Sequence, residues 1–75
     1  MKLSIYKNPR TEHTYQVNKK GSRYMIVESD WMGNMVQVMA FYNKSDNAQN
    51  VLDNLADNMD WRFCGEQMEA GQLDG

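Results

Sequence analysis

The sequence predicts a small α+β domain: an antiparallel sheet of three or four strands with one amphipathic helix packed on one face. Two patterns predict this class. Short segments between residues 2 and 42 alternate apolar and polar side chains, as half-buried strands do. The segment 46 to 60 changes to the three- and four-residue spacing of a helix. With 75 residues the chain has material for one core, so we expect the order β-β-β-α, with a short final strand as an option.

The first half of the chain divides into strand segments separated by turn residues. Residues 2 to 7 alternate and end before a proline, which predicts a short strand at a sheet edge. Residues 13 to 18 and 23 to 29 flank Gly21, and this arrangement indicates a hairpin. Residues 35 to 42 are apolar on both faces, which is typical of a central, covered strand.

The segment 46 to 60 carries an unbroken helical pattern. Ser45 or Asp46 is suited to the N-cap, and Gln49 lies three residues after Asp46, as a capping-box partner does. The apolar stripe consists of Ala48, Val51, Leu52, Leu55, Ala56 and Met59. We expect Val51, Leu52, Leu55 and Met59 to be buried against the sheet.

The segment after the helix contains few apolar residues. Residues 61 to 64 can form a last strand or a hydrophobic latch, of which we favour the strand, and Trp61 is expected in the core. Residues 65 to 75 are expected to be a flexible acidic C-terminal tail, which leaves 1 to 64 as a single α+β domain. Four methionines are expected to fill the core: Met25, Met35, Met39 and Met59.

Charge is distributed unevenly along the chain. The net charge is −2, but the basic residues lie almost entirely before the helix and most acidic residues lie in or after it. Asp53, Asp57 and Asp60 recur at i, i+4 and i+7, with no Lys or Arg between them to form stabilising pairs. Together with Asn50 and Asn54 they are predicted to form an acidic ridge on the helix. Such a face is either solvated surface or a binding surface for a basic partner.

Residues that carry catalytic or metal chemistry are sparse. His13 and Cys64 are the only soft-ligand candidates, and two residues do not make a zinc site. The glycines are isolated, so the sequence contains no phosphate-binding loop. A Cys64 nucleophile would need His13 as base and a third orienting group, and the spacing does not indicate one. We therefore expect no catalytic site, no metal and no cofactor, and predict that the protein is not an enzyme.

Cysteine content and hydropathy suggest a compartment. Cys64 is the single cysteine and cannot form an internal disulfide, which favours a reducing environment. No apolar run approaches the length of a signal peptide or a membrane span. We expect a cytoplasmic protein without a membrane partner.

These patterns predict a non-enzymatic inhibitor or regulator that binds another protein. A row of carboxylates can take the place of phosphates in the basic groove of a nucleic-acid-handling protein. Small acidic proteins of this kind are often carried by phages and mobile elements. Trp31 and Met32, in the predicted turn 30 to 34, form a second candidate anchor, because an exposed Trp-Met pair adapts to a protein surface. The other interpretation is that Trp31 folds over the sheet as a lid.

Two alternatives remain open. Basic residues lie among tyrosines in the first half of the chain, as on a sheet-based nucleic-acid-binding module, although the acidic total argues against nucleic acid as the partner. A sheet covered by one helix also leaves its second face partly apolar. A second copy of the chain could cover that face, which makes a homodimer or a homo-oligomeric structural subunit the other alternative.

Overall fold

The computed structural model of the chain describes residues 2–73 and confirms the α+β class. An antiparallel sheet carries one helix on one face. The elements are β1 (Leu3–Lys7), β2 (Thr14–Lys20), β3 (Arg23–Ser29), β4 (Met35–Tyr42), α1 (Ser45–Met59), β5 (Arg62–Gln67) and β6 (Gly71–Gln72). The strand order is β4-β3-β2-β1-β5, and the short β6 pairs in parallel with β2. The sheet therefore has more strands than the three or four predicted.

The hydrophobic core lies between α1 and the face of the sheet that it covers. Val17 of β2 pairs directly with Ile26 of β3, and both are buried against Leu52 of the helix. Trp61 stacks on Tyr15 with ring centroids 3.7 Å apart and interplanar angle 12°. Trp61 thus joins the core, as its position after the helix predicted.

The predicted hairpin is formed by β2 and β3. Lys20 pairs with Arg23, so Gly21 and Ser22 make a two-residue loop. Gly21 has φ +62° and Ser22 is not among the residues with positive φ. This is the position at which a type II′ hairpin turn needs glycine.

Two strands occupy positions that differ from the prediction. β1 was expected at an edge, but it pairs with β2 on one side and with β5 on the other. β4 was expected in the centre, but among residues 2–73 it pairs with β3 alone and forms an edge. The helix returns the chain to the β1 side of the sheet, and this choice of side is a property of the topology that no local pattern encodes.

The N-terminus of α1 differs from the predicted capping arrangement. Lys44, rather than Ser45 or Asp46, occupies the N-cap position with extended backbone, φ −130° and ψ 142°, and its side chain makes no capping hydrogen bond within the described chain. Gln49 is not a capping-box partner either. It is buried, and its Nε2 donates to the backbone oxygen of Ser4.

The buried side of α1 is rotated relative to the predicted apolar stripe. Leu52 is fully buried and Leu55 is half-buried, but Val51 and Met59 are 40% and 44% exposed. Gln49 takes an inward position instead. Its Nε2 donates to the Ser4 carbonyl and to Asp53 there, whereas its Oε1 has no hydrogen-bond partner in the described part of the chain. The prediction that Val51 and Met59 are buried is therefore wrong.

The segment after the helix contains two strands. The favoured strand at 61 to 64 is present and longer, since β5 continues to Gln67, whose Nε2 donates to the backbone oxygen of Val17. Asn18 Nδ2 donates to the backbone oxygen of Gly71 at 3.1 Å and ties β6 to β2. The segment expected as a tail, 65 to 75, thus includes the end of β5 and all of β6, while residues 74 and 75 lie outside the described chain. Its mobility stays a prediction.

Candidate functional site

The exposed side of α1 is built from aspartate and asparagine. Asp46, Asn50, Asn54 and Asp57 are all exposed, and their spacing of 4, 4 and 3 residues places them on one side of the helix. We call these four residues the acidic helix face. No lysine or arginine occurs between Ser45 and Met59. The helix therefore presents carboxylates and amides to its surroundings without a basic residue of its own.

Asp53 is not part of this exposed surface, although the sequence placed it there. Its Oδ1 accepts hydrogen bonds from the hydroxyl of Tyr6 at 2.6 Å and from Nε2 of Gln49 at 2.8 Å. Burial, together with the hydrogen bond and the charge of Asp53, raises the pKa of Tyr6. Asp53 thus joins the helix to β1 through these hydrogen bonds, and its predicted binding role stays a prediction.

Asp60 lies at the C-cap of α1 and is not part of the acidic helix face. Its backbone is left-handed, with φ 58° and ψ 34°, a conformation that Asp and Asn adopt more readily than most residues. Its backbone N–H reaches the carbonyl of Asp57 at 3.4 Å. The side chain is exposed and adds negative charge just beyond the end of the acidic helix face.

The turn between β3 and β4 holds Trp31 and Met32 away from the sheet. The carboxylate of Asp30 accepts hydrogen bonds from the backbone N–H of Met32 at 3.0 Å and of Asn34 at 2.9 Å, and Gly33 has φ +86°. Trp31 is 73% exposed and Met32 is 67% exposed. The lid interpretation of Trp31 is therefore wrong, and the turn presents the pair to solvent on a hydrogen-bonded frame.

The exposed apolar surface continues along β4. Met35, Val36, Met39 and Phe41 are large apolar side chains with substantial exposure. Together with Trp31 and Met32 we call them the β4 strip. The sequence predicted a partly apolar sheet face but a covered β4, because an apolar run has the same pattern in a covered central strand and in a bare edge strand.

Only one of the four methionines expected in the core is buried. Met25 is enclosed, whereas Met35, Met39 and Met59 are exposed. Met35 and Met39 are exposed because β4 is an edge strand, and Met59 because the helix is rotated. The high methionine content therefore belongs largely to the surface, where flexible thioether side chains suit contacts with other molecules.

The carboxylate of Glu28, on β3, is buried and hydrogen-bonded at both oxygens. Glu28 accepts from Nδ1 of His13 at 2.7 Å, from the hydroxyl of Tyr15 at 2.8 Å and from Nε2 of Gln37 at 2.7 Å. Burial acts to raise the pKa of Glu28, but these three hydrogen bonds outweigh it and hold the pKa below its usual value. Burial, reinforced by the Glu28 contact, raises the pKa of Tyr15 to about 12.

This network has part of a catalytic constellation, since a carboxylate orients an imidazole in many general-base sites. Within residues 2–73 the His13 imidazole contacts Glu28, and the Thr11 hydroxyl accepts only the backbone N–H of His13. In the same part of the chain His13 and Glu28 belong to no cluster of three potential metal ligands. The contacts observed instead link the 8 to 13 loop, β2, β3 and β4. The network is therefore best described as a structural clamp.

The second chemistry-bearing residue, Cys64, borders an open groove of about 330 Å³. The groove is lined by Lys7, Pro9, Glu12, Arg62, Phe63 and Cys64. Burial raises the pKa of the Cys64 thiol, with Lys7 opposing the shift only in part. The thiol is therefore protonated near neutral pH, and a protonated thiol is a poor nucleophile.

Comparison of the chain with models of protein families, with curated proteins and with solved structures finds no match. Among the described residues no helix has the length and apolar character needed to cross a membrane. The function is therefore inferred from the surfaces themselves.

Proposed function

We propose that this protein is a non-enzymatic inhibitor or regulator that binds another protein through the acidic helix face. The partner that fits is a nucleic-acid-handling protein, whose basic groove is arranged to receive negative charges. The observation that carries the proposal is the composition of α1: its exposed side offers Asp and Asn, and the helix contains no basic residue.

This composition works against the stability of the helix. Asp and Asn are unfavourable in helix interiors by about 0.5 kcal/mol each relative to alanine. Asp57 lies in the last turn, where the negative end of the helix dipole disfavours a carboxylate. The packing of Leu52, Ala48 and Ala56 already holds α1 on the sheet. Asp46, in the first turn, is stabilised by the helix dipole. Local stability gains nothing from Asn50, Asn54 and Asp57, and a role in binding accounts for these three better.

The arrangement of the face also suits a basic groove. Asp46 and Asp57 are eleven residues apart, which is about 16 Å along a helix axis. Asn50 and Asn54 lie between them, and their amides both donate and accept hydrogen bonds. A carboxylate at each end can receive a bidentate arginine, while the amides contact polar groups in the middle.

The alternative of a sheet-based nucleic-acid binder has weaker support. Basic residues do gather near the β2–β3 turn, but two of them already lie against aromatic rings of the same chain: Lys19 is 5.7 Å from the Tyr24 ring centroid and Arg23 is 5.9 Å from that of Phe41. Cations engaged in such contacts are less free to bind phosphates. With a net charge of −2, we expect no measurable affinity for duplex DNA at physiological salt.

The proposal is tested by capture from lysate of the native host with three immobilised baits, followed by mass spectrometry. The baits are the natural chain, the variant Asp46→Asn with Asp57→Asn, and the control Glu66→Gln with Glu69→Gln. Both variants lose two negative charges, but only the first alters the acidic helix face. We expect a basic protein to be held by the natural chain and the control and to be lost from the first variant.

The captured protein is then mixed with its nucleic acid and with the natural chain. Displacement of the nucleic acid supports mimicry by the acidic helix face. Equal capture by all three baits, or binding of the chain to oligonucleotides instead of protein, would overturn the proposal.

A further inference from the structure

A long uncharged segment is framed by one acidic and one basic residue. Residues 31 to 43 contain no charged side chain, Asp30 precedes them and Lys44 follows them. In the fold this segment comprises the exposed Trp31-Met32 turn and all of β4. The β4 strip therefore has an acidic end and a basic end.

β4 lacks two common protections of an edge strand. Exposed edges are usually blunted by lysine, proline or bulges, and β4 contains neither lysine nor proline. It does contain bulges, since the pairing with β3 skips Val36 and Met39. These bulges interrupt a regular backbone edge, but they leave Val36 and Met39 exposed. A partner on β4 is therefore held mainly by side-chain contacts.

The strip also lies on a different surface from the acidic helix face. Phe41 pairs with Met25 and Met35 pairs with Ser29, whereas Val17 and Ile26 face the helix. Because neighbouring residues of a strand point to opposite faces, this part of the strip faces away from α1. An occupant of the β4 strip therefore does not compete for the acidic helix face.

We propose that the β4 strip is a self-association surface, on which β4 of a second copy of this chain packs antiparallel about a two-fold axis near the middle of the strand. Two-fold symmetry places the same apolar surface on both sides of the contact. It also brings Lys44 of each copy toward the Asp30 turn of the other. The two ends are complementary in charge only when the strands run in opposite directions.

Charge complementarity and symmetry together select a second copy as the occupant. A partner with a different sequence would need its own apolar strip with a basic residue and an acidic residue at matching ends. A second copy supplies all of these by symmetry. Trp31 and Met32 of each copy would then contact the Phe41 end of the other, and large apolar side chains of this kind dominate protein interfaces.

The inference is tested by the mass of the full chain in solution, measured by analytical ultracentrifugation over a range of concentrations up to the solubility limit. The variant Met39→Lys places a charge from each copy near the axis, and we expect it to raise the dimer dissociation constant about tenfold or more. The matched control is Met59→Lys. Both methionines have similar exposure, 38% and 44%, but Met59 lies on α1. Circular dichroism checks that both variants are folded.

A cross-linking experiment locates the contact independently of affinity. In a Cys64→Ser background, Met39→Cys is expected to form a disulfide-linked dimer under mild oxidation, whereas Met59→Cys is expected to remain monomeric. Lys44→Glu is expected to weaken the dimer, because it places like charges beside each other at both ends.

A chain that stays monomeric at every concentration would overturn the inference. So would a dimer that Met39→Lys leaves unchanged, because another surface would then hold it. Neither outcome bears on capture of a basic protein by the acidic helix face, so the two proposals fail separately.

Discussion

At the residue scale, Asp53 and Asp57 carry the same side chain on the same helix but lie in different surroundings. Asp53 accepts hydrogen bonds from Tyr6 and Gln49, whereas Asp57 is exposed on the acidic helix face. The pair therefore separates a carboxylate that is engaged in the fold from one for which we propose a binding role.

We expect Asp53→Ala to lower the free energy of unfolding by about 1–3 kcal/mol, because it leaves the Tyr6 hydroxyl and the Gln49 amide without their acceptor. Asp57→Ala is the matched control and should change stability by no more than about 0.5 kcal/mol, since alanine is a better helix residue and no structural contact is lost. Urea denaturation measures both. Equal losses in the two variants would contradict the assignment of Asp53.

Leu52 anchors the helix, and a neighbouring residue provides its control. We expect Leu52→Ala to cost about 2–5 kcal/mol, because it empties a fully enclosed site beneath α1. Val51 precedes it in the chain but is exposed, so Val51→Ala should cost less than about 1 kcal/mol. Thermal melts that showed comparable losses in both variants would mean that Val51 is buried together with Leu52, as the apolar stripe predicted.

At the element scale, periodicity predicted where the strands and the helix lie but not which side of the helix faces inward. The apolar spacing predicted that Val51 and Met59 are buried. The structure buries Gln49 instead, where its Nε2 donates to the Ser4 carbonyl and to Asp53, while its Oε1 has no hydrogen-bond partner within residues 2–73. A hydrogen bond between distant segments has no signature in local spacing, and this is also why Asp53 was assigned to the exposed row.

The N-terminus of α1 is a weak point of that element. Lys44 occupies the N-cap without a capping hydrogen bond within residues 2–73, so Lys44→Ser should raise the free energy of unfolding by about 1 kcal/mol. Asn43→Ser, one residue earlier, cannot reach the same backbone N–H groups and should have little effect. The melting temperatures of the two variants, measured at concentrations where the chain is monomeric, test this difference. A stabilisation of equal size in both would argue against a capping origin.

At the scale of the whole molecule, the Glu28 clamp makes stability depend on pH at both extremes. The pKa of Glu28 is lower in the folded chain than its usual 4.5. The stability that Glu28 contributes is therefore present above about pH 4.5 and is lost as the pH falls through the lower folded pKa. The pKa of Tyr15 is raised from 10.0 to about 12, so its contribution is present below pH 10 and is lost as the pH rises toward 12.

Unfolding in urea at a series of pH values measures this profile. We expect Tyr15→Phe to flatten the alkaline decline without abolishing it, because burial and Asp53 also raise the pKa of Tyr6. Glu28→Gln should flatten the acid decline. An unchanged alkaline profile in Tyr15→Phe would show that the clamp does not control stability there.

The topology of the whole sheet was beyond the reach of sequence patterns. The α+β class followed from alternation and helical spacing, and the hairpin followed from Gly21. The positions of β1 and β4 depend on which edge receives β5, and that in turn placed the apolar residues of β4 on the surface. Among the predicted site residues, Trp31, Met32, Asn50, Asn54, Asp57 and Asp60 are exposed, while Asp53 is engaged in the fold.

The central claim is that the acidic helix face binds a basic protein by charge. It is tested most directly by the dissociation constant of the captured partner, measured by calorimetry at low and high salt for the natural chain and the two doubly substituted chains. We predict that Asp46→Asn with Asp57→Asn raises the dissociation constant about tenfold or more at low salt and flattens its salt dependence. Glu66→Gln with Glu69→Gln should leave both unchanged. Equal dissociation constants and equal salt dependence in all three chains would contradict the claim.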